Sequence, residues 1–249
     1  DNFHTKGDRI YHVVRETHTP ERNKKEFDYG TSGPLAPALM RDIPEIEKAV
    51  RVYGRGGVVT RHEGEQAFQG SHGWAFVDLD FFTIFDLPFI KGDPATALQN
   101  PNSALISEKI AQQYFGTSDP IGKTITGKVY GEFDVTITGV VRIPPNSTII
   151  FDFATTSTPV VKNHPTVSDR WQNWTPFHSY RAIETYVLLR EGVDPKTLEA
   201  KLPALMERYM GSEVRAKNTY HLQPLERMHL YNRVDYEGYK GTWSAGDIE

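Results

Sequence analysis

The sequence contains no cysteine, which excludes disulfides, thiolate metal sites and cysteine nucleophiles together. It also lacks a long hydrophobic run. Its most apolar stretch, Phe81 to Ile90, is broken by Asp86 and Pro88, whereas a membrane-spanning helix needs roughly 20 apolar residues in succession. There is no basic excess, because 28 Lys and Arg stand against 32 Asp and Glu, for a formal net charge of −4. A whole-surface nucleic-acid footprint needs a strong positive balance, so no nucleic-acid partner is expected. No signal peptide is present, and the chain opens on Asp-Asn-Phe-His and stops after Gly-Asp-Ile-Glu. We read it as a segment of a longer protein, so missing targeting signals say little about the parent.

What is present is a core-forming composition. Of 249 residues, 38% are hydrophobic and 12% aromatic. That suffices for one large domain or two small ones with a sizeable interior. Ile10 to Arg15 is β-branched and aromatic, as a strand requires. Residues 17–34 are polar and carry Pro20, Gly30, Gly33 and Pro34, which predicts a long loop. Leu35, Leu39, Ile43, Ile46 and Val50 recur at three- and four-residue spacing, which predicts one helical face with a kink at Pro44. Arg51 to Thr60 predicts a strand interrupted by Gly54, Gly56 and Gly57, with a bulge among them.

Further along, Asp78 to Phe85 predicts a short aromatic helix or turn. Ser107 is a candidate N-cap for a helix stopped by Gly116. Phe133, Val135, Ile137, Gly139 and Val141 alternate with Asp134, Thr136 and Thr138, the period of a half-buried strand. Ile149 to Phe153 predicts another short strand, and Ile183 to Leu189 a further one. Asp194 and Pro195 open a helix whose stripe is Leu198, Leu202, Leu205, Met206 and Tyr209, with Pro203 a local misfit and Gly211 the stop. Tyr220 to Leu225 returns as a strand. Strand–helix–strand therefore occurs at both chain ends, around a more β-rich centre.

Candidate chemistry is sparse. Gly116-Thr-Ser-Asp-Pro-Ile-Gly122-Lys123-Thr124 misses the phosphate-loop spacing by one residue, and Asp119 would repel phosphate there, so a helix stop and turn is expected. The nine histidines show no metal-ligand spacing and are expected as scattered surface or capping residues. Carboxylates pair at Glu45/Glu47, Glu63/Glu65 and Asp78/Asp80. A glycosidase needs two acids about 5–10 Å apart, one with a raised pKa. No Gly-x-Ser-x-Gly elbow is present. Trp171 and Trp174, with Phe177 and Tyr180 nearby, form an aromatic cluster in a polar segment. It suits either a stacking surface for a ligand or partner, or a loop anchored on the core, the second being favoured.

One block is more specific. It runs from Val77-Asp78-Leu79-Asp80-Phe81-Phe82 through Gly92-Asp93-Pro94, Pro101-Asn102-Ser103, Ile106-Ser107-Glu108, Tyr114-Phe115-Gly116 and Asp119-Pro120-Ile121-Gly122-Lys123 to Pro145-Asn146-Ser147. The series resembles the MacB-type periplasmic core domain of FtsX-like permeases in ABC transporters. Asp8-Arg9-Ile10-Tyr11 near one end, and Leu222-Gln223-Pro224-Leu225 with His229-Leu230-Tyr231 near the other, resemble the stretches adjoining the first and second membrane helices of such permeases.

The resemblance implies an α+β fold. A porter-like, βαβ-containing subdomain would be formed by both chain ends (residues 1–80 and 179–249), with an inserted β-rich, sabre-like subdomain (81–178). It implies a non-catalytic, periplasmic loop of an inner-membrane protein that couples cytoplasmic ATP hydrolysis to periplasmic movement. No cofactor is expected here, since ATP would bind a separate nucleotide-binding subunit or domain. Implied partners are a second permease copy or half, the ABC ATPase through the membrane part, a periplasmic adaptor and an outer-membrane duct. The competing readings are a secreted carbohydrate- or lipid-binding module using Trp171 and Trp174, and a hydrolase using one of the acidic pairs.

Overall fold

The computed structural model describes residues 3–19, 24–61, 67–174, 183–226 and 228. The β-branched run from Ile10 forms β1 (Ile10–Thr19), which continues past Arg15. β2 (Lys24–Asp28) folds back on it antiparallel, with Arg15 opposite Asp28. Part of the polar segment expected as a loop is thus a hairpin strand. Among the described residues β2 pairs with β1 alone, and polar residues suit such an edge.

α1 (Leu35–Asp42) buries Leu35 and Leu39 and ends before Pro44, whose ring cannot continue a helix. Ile46 and Val50, expected on the same helical face, instead lie in β3 (Ile46–Arg61). A register shift against β10 (Glu184–Leu189) places Ile46 opposite Leu189 and Val50 opposite Tyr186. The two side chains therefore enter different clusters. From Val52 to Thr60, β3 pairs with β4 (Ala67–Val77), and the register changes between Gly57 and Val59, where the glycines predict a bulge. A side chain at Gly57 would collide with Val129 and Trp74.

α2 (Phe81–Ile84) leads through β5 (Phe89–Lys91) to β6 (Ser103–Ser107), every residue of which is buried. α3 (Glu108–Phe115) starts as predicted: Ser107 Oγ accepts the Ile110 N–H at 3.3 Å, and Gly116 ends it at φ 55°. β7 (Thr124–Lys128) and β8 (Glu132–Val141) form a hairpin, with Phe133, Val135 and Ile137 pointing inward. Ile149 and Phe151 are buried outside any strand, and β9 begins only at Phe153 (Phe153–Thr156). α4 (Thr158–Asn163) and α5 (Pro165–Gln172) follow. Past β10, the apolar stripe is shared by α6 (Pro195–Glu199) and α7 (Leu202–Met210). Pro203 lies in the first turn of α7, where a missing N–H costs nothing, so it starts a helix rather than disturbing one. α8 (Ser212–Lys217) and β11 (Asn218–Pro224) complete the described elements.

These strands form one mixed sheet in the order β11-β1-β10-β3-β4-β9-β6-β8-β5, with β7 joining β3 and β8. The fold is mixed and sheet-rich. β11, from late in the chain, pairs antiparallel with β1, setting Tyr11 opposite Pro224 and Thr17 opposite Asn218. The interior has three parts. One is aliphatic, between the chain-end strands and α1, α6 and α7. One is aromatic, around Trp74, Phe76, Phe133 and Phe153. The third lies on the opposite face of the sheet and includes Phe81, Phe85, Tyr186 and Leu188, with Ile10, Ala75 and Leu105 alternating along their strands with residues of the other two parts.

Candidate functional site

The polar side chains that join distant parts of the chain converge at Arg51. β3 and β4 pair Val52 with Val77, so Arg51 and Asp78 flank the last rung and face each other. Arg51 donates its main-chain N–H at 2.8 Å and Nε–H at 2.9 Å to one Asp78 oxygen, and Nη2–H at 2.8 Å to the other. Nη1 donates to the carbonyls of Gly33 (3.1 Å) and Trp171 (3.4 Å). The guanidinium carbon lies 4.4 Å from the Trp171 ring centroid. Both charged side chains are largely buried, and a two-pronged pair of this kind fixes geometry as well as charge. Gly33 sits so close to the Arg170 and Trp171 backbone that a Cβ would lie 2.4 Å from the Trp171 oxygen. The loop before α1, β3, the turn after β4 and the end of α5 thus meet at one guanidinium.

The two tryptophans part company here. Trp171 is buried, only 7% exposed, with its ring edge-on to Tyr53. It is a core anchor and not a ring offered to solvent. Trp174 is half-buried and stacks on Tyr209 of α7, centroids 4.9 Å apart and planes 6° apart. The Tyr209 hydroxyl donates to Asp42 at 2.5 Å. That bond and one from Arg41 hold the Asp42 carboxyl below its usual range. Both rings therefore fasten the end of α5, Trp171 to β3 and Trp174 to α7. Phe177 and Tyr180 lie outside the described residues.

A second polar cluster holds the start of the chain. Thr5 donates from its N–H (2.6 Å) and Oγ (2.7 Å) to Asp86, and Asp86 N–H donates to His4 Nδ1 at 2.9 Å. Burial pulls His4 down to about 4, against the opposing pull of Asp86. The His4 ring lies edge-on to Phe85, and Phe3 and Met228 pack on the cluster that holds Phe85.

Several histidines are interior, contrary to the surface expectation. His12 is fully buried between Tyr29 and Tyr186, with centroids at 5.1 and 4.3 Å. Neither ring nitrogen has a hydrogen-bond partner. Burial drops its pKa to about 3, so it is neutral although Glu184 lies 3.6 Å away. His72 Nε2 lies 2.5 Å from the Tyr114 hydroxyl, and Nδ1 lies 3.5 Å from Asp152. Burial and the Asp152 charge push the Tyr114 hydroxyl up, and its bond to His72 ties α3 to β4.

The acidic pairs are structural where they are described. Glu45 binds Lys201, Glu47 binds Arg9, Asp78 binds Arg51 and Asp80 binds Lys48. The first two are held below the usual carboxylate range by those cations, the opposite of what a general acid needs. Glu63 and Glu65 lie outside the described residues. Asp119 accepts from Lys91 at 3.0 Å and from the Ile121 N–H at 3.2 Å, which makes the 116–124 segment a turn. Among the described residues no cluster of His, Asp and Glu could hold a metal, and no helix is long and apolar enough to cross a membrane.

With this geometry in place, the comparisons assign the class. The family model of the MacB-like periplasmic core domain matches residues 1–205. The chain belongs to that family, which is a periplasmic part of ABC transporter permeases. A domain of a putative permease protein from Porphyromonas gingivalis is 26% identical. It aligns over 90% of this chain and 92% of its own, with a TM-score of 0.72. The periplasmic region of MacB from Actinobacillus actinomycetemcomitans shares the fold at 12% identity and TM-score 0.60, covering 92% of this chain and 95% of its own. The extracellular domain of the noncanonic ABC-type transporter YknZ from Gram-positive bacteria does so at 12% and 0.57, covering 86% and 99%. A search of curated proteins returned no match.

Proposed function

We propose that the chain is the extracytoplasmic domain of an FtsX-like permease and transmits movement driven by cytoplasmic ATP hydrolysis, without catalysing a reaction itself. Residues 1–80 and 179–249 would form a porter-like subdomain and 81–178 an insert. ATP would bind a separate nucleotide-binding subunit or domain. The partners would be a second permease copy or half, the ATPase through the membrane part and, in an efflux system, a periplasmic adaptor with an outer-membrane duct. The observation that carries this reading is the pairing of Tyr11 with Pro224. The chain enters β1 and leaves β11 at the same end of the sheet, as a loop between two membrane helices requires. The Arg51 junction supports it, since a part that passes on movement needs its segments fixed to one another. Of the two rings read as a possible ligand or partner contact, Trp171 and Trp174, the half-buried Trp174 would be the one to meet it. The carbohydrate- or lipid-binding alternative needs an exposed Trp171, and that ring packs on Arg51 and Tyr53 instead.

The test is the parent reading frame. Roughly 20 apolar residues immediately before Asp1 and again soon after Glu249 are expected. Their absence on both sides would overturn the reading.

A further inference from the structure

Three irregularities meet near the middle of β3. Arg55 is 8% exposed, yet no carboxylate among the described residues pairs with it. Its Nε donates to the Tyr53 hydroxyl at 2.7 Å, and its guanidinium lies 4.8 Å from the Tyr53 ring centroid and 5.2 Å from that of Tyr130. The two hydroxyls are 3.0 Å apart. The Nη groups make no hydrogen bond to a described residue and, unlike Arg15 Nε, are not among the sealed polar atoms. Tyr130, at the tip of the β7–β8 hairpin, is the one described non-glycine residue with positive φ, at 58°, a conformation that costs a bulky residue energy. Its ring lies 4.7 Å from that of His164, whose Nδ1 is buried without a partner.

A buried cation is ordinarily paired, and stacking on aromatic faces recovers only part of the lost hydration. Tyr53 supplies no counter-charge, because burial and the Tyr130 bond push its hydroxyl up to about 12. The geometry points to a receptor site in which Arg55 and Tyr130, held in place by Tyr53, bind a carboxylate presented by a peptide or protein segment. With Nε held by Tyr53, the two Nη groups form a fork for one carboxylate's two oxygens, and since the two hydroxyls spend one proton on each other, the Tyr130 hydroxyl has one left to donate. A phosphate dianion would bring one charge too many to a single Arg. Tyr130, 39% exposed, offers an apolar ring to the atoms flanking the carboxylate, which favours a peptide over a free small acid.

The 249-residue chain should be titrated calorimetrically with acetyl-Ala-Ala-Ala bearing a free C-terminus, with its C-terminal amide, with acetyl-Ala-Glu-Ala-amide and with sodium acetate. At least one carboxylate peptide is expected to bind tenfold or more tighter than the amide, and the two acids distinguish a chain end from a side chain. Tyr130→Phe, at an exposed ring that keeps its shape, is expected to weaken that binding about threefold. Arg55→Lys, which keeps the charge but loses the fork, should weaken it further, and Arg55→Gln should abolish it, each variant first checked for folding by circular dichroism. Equal binding of acid and amide, binding of acetate alone, no binding at all, or unchanged binding in folded Arg55→Gln would each overturn the proposal.

Discussion

The two ends of the sheet are built by opposite strategies. β11, β1, β10 and the first half of β3 pair antiparallel throughout, and their helices α1, α6 and α7 bury mainly leucines. At the other end β4 and β9, and β6 and β8, pair in parallel. There the interior is aromatic, with Trp74 stacked on Phe153 at 4.8 Å and edge-on to Phe133 at 5.2 Å. The first end closes only when residues some 200 apart meet, as Thr17 and Asn218 do. Much of the second is assembled within one stretch of chain, 103–172. The chain-end part therefore depends on the whole polypeptide, whereas the mid-chain part has most of its partners near in sequence. Between them run β3, shared by both, and the Arg51 junction.

The largest expected effect probes whether the parts unfold together. Trp74→Ala removes the centre of the aromatic stack and should cost about 3–5 kcal/mol. Leu39→Ala, its counterpart at the chain-end side, should cost about 2–4 kcal/mol. If the sheet is one cooperative unit, each variant lowers a single calorimetric transition; two transitions, with Trp74→Ala shifting only one, would show that the parts fold separately.

Next comes the junction. Arg51→Met strands Asp78 without its cation and releases the Gly33 and Trp171 carbonyls, a loss of about 2–4 kcal/mol. A double-mutant cycle with Asp78→Asn should return a large coupling energy, and additive losses would show the pair to be idle.

Acid separates the two parts in another way. His12 titrates near 3 in the fold but near 6.5 in the unfolded chain. Above pH 6.5 both forms are neutral and stability is full. As pH falls from 6.5 toward 3 only the unfolded chain takes up the proton, so stability drops by about 1.4 kcal/mol per pH unit, or about 2 kcal/mol by pH 5. His4, pulled to about 4, acts in the same direction between pH 6.5 and 4. Amide hydrogen exchange at pH 5 should thus open β1 and β11 before β6 and β8, and His12→Leu should flatten the pH dependence of the urea midpoint. The smallest effect is local: Ser107→Ala should cost about 1 kcal/mol by loss of the α3 cap, read as a shift in urea midpoint.

Legibility in the sequence followed the range of the interaction. Ser107 and Gly116, Asp194 and Pro195, and the alternation in β8 are set by neighbours, and their elements appear where they were read. β6 escaped because a central strand buried on both faces has no alternation to show. Ile46 and Val50 were misplaced because a four-residue step imitates a helical turn, and a register shift is invisible before the partner strand is known. The aromatic cluster was visible as composition, but the division of labour between Trp171 and Trp174 rests on Arg51 and Tyr209, far away in sequence. Arg51–Asp78 and Arg55 gave no signal, since nothing in the neighbouring residues marks which arginine will be buried.

The side-by-side start of β1 and end of β11 also decides how the domain bears load. If the two chain ends are spread apart, the ladder opens at Tyr11–Pro224 and unzips rung by rung toward Thr17–Asn218, loading few hydrogen bonds at any moment. If one end slides against the other along the strand axis, all the rungs resist in shear together. If both ends are pushed the same way, no rung is loaded and the strands travel as one piston rod. The same pair of strands is thus compliant to splaying and stiff to thrust, so the direction of an applied force decides whether the sheet yields or moves.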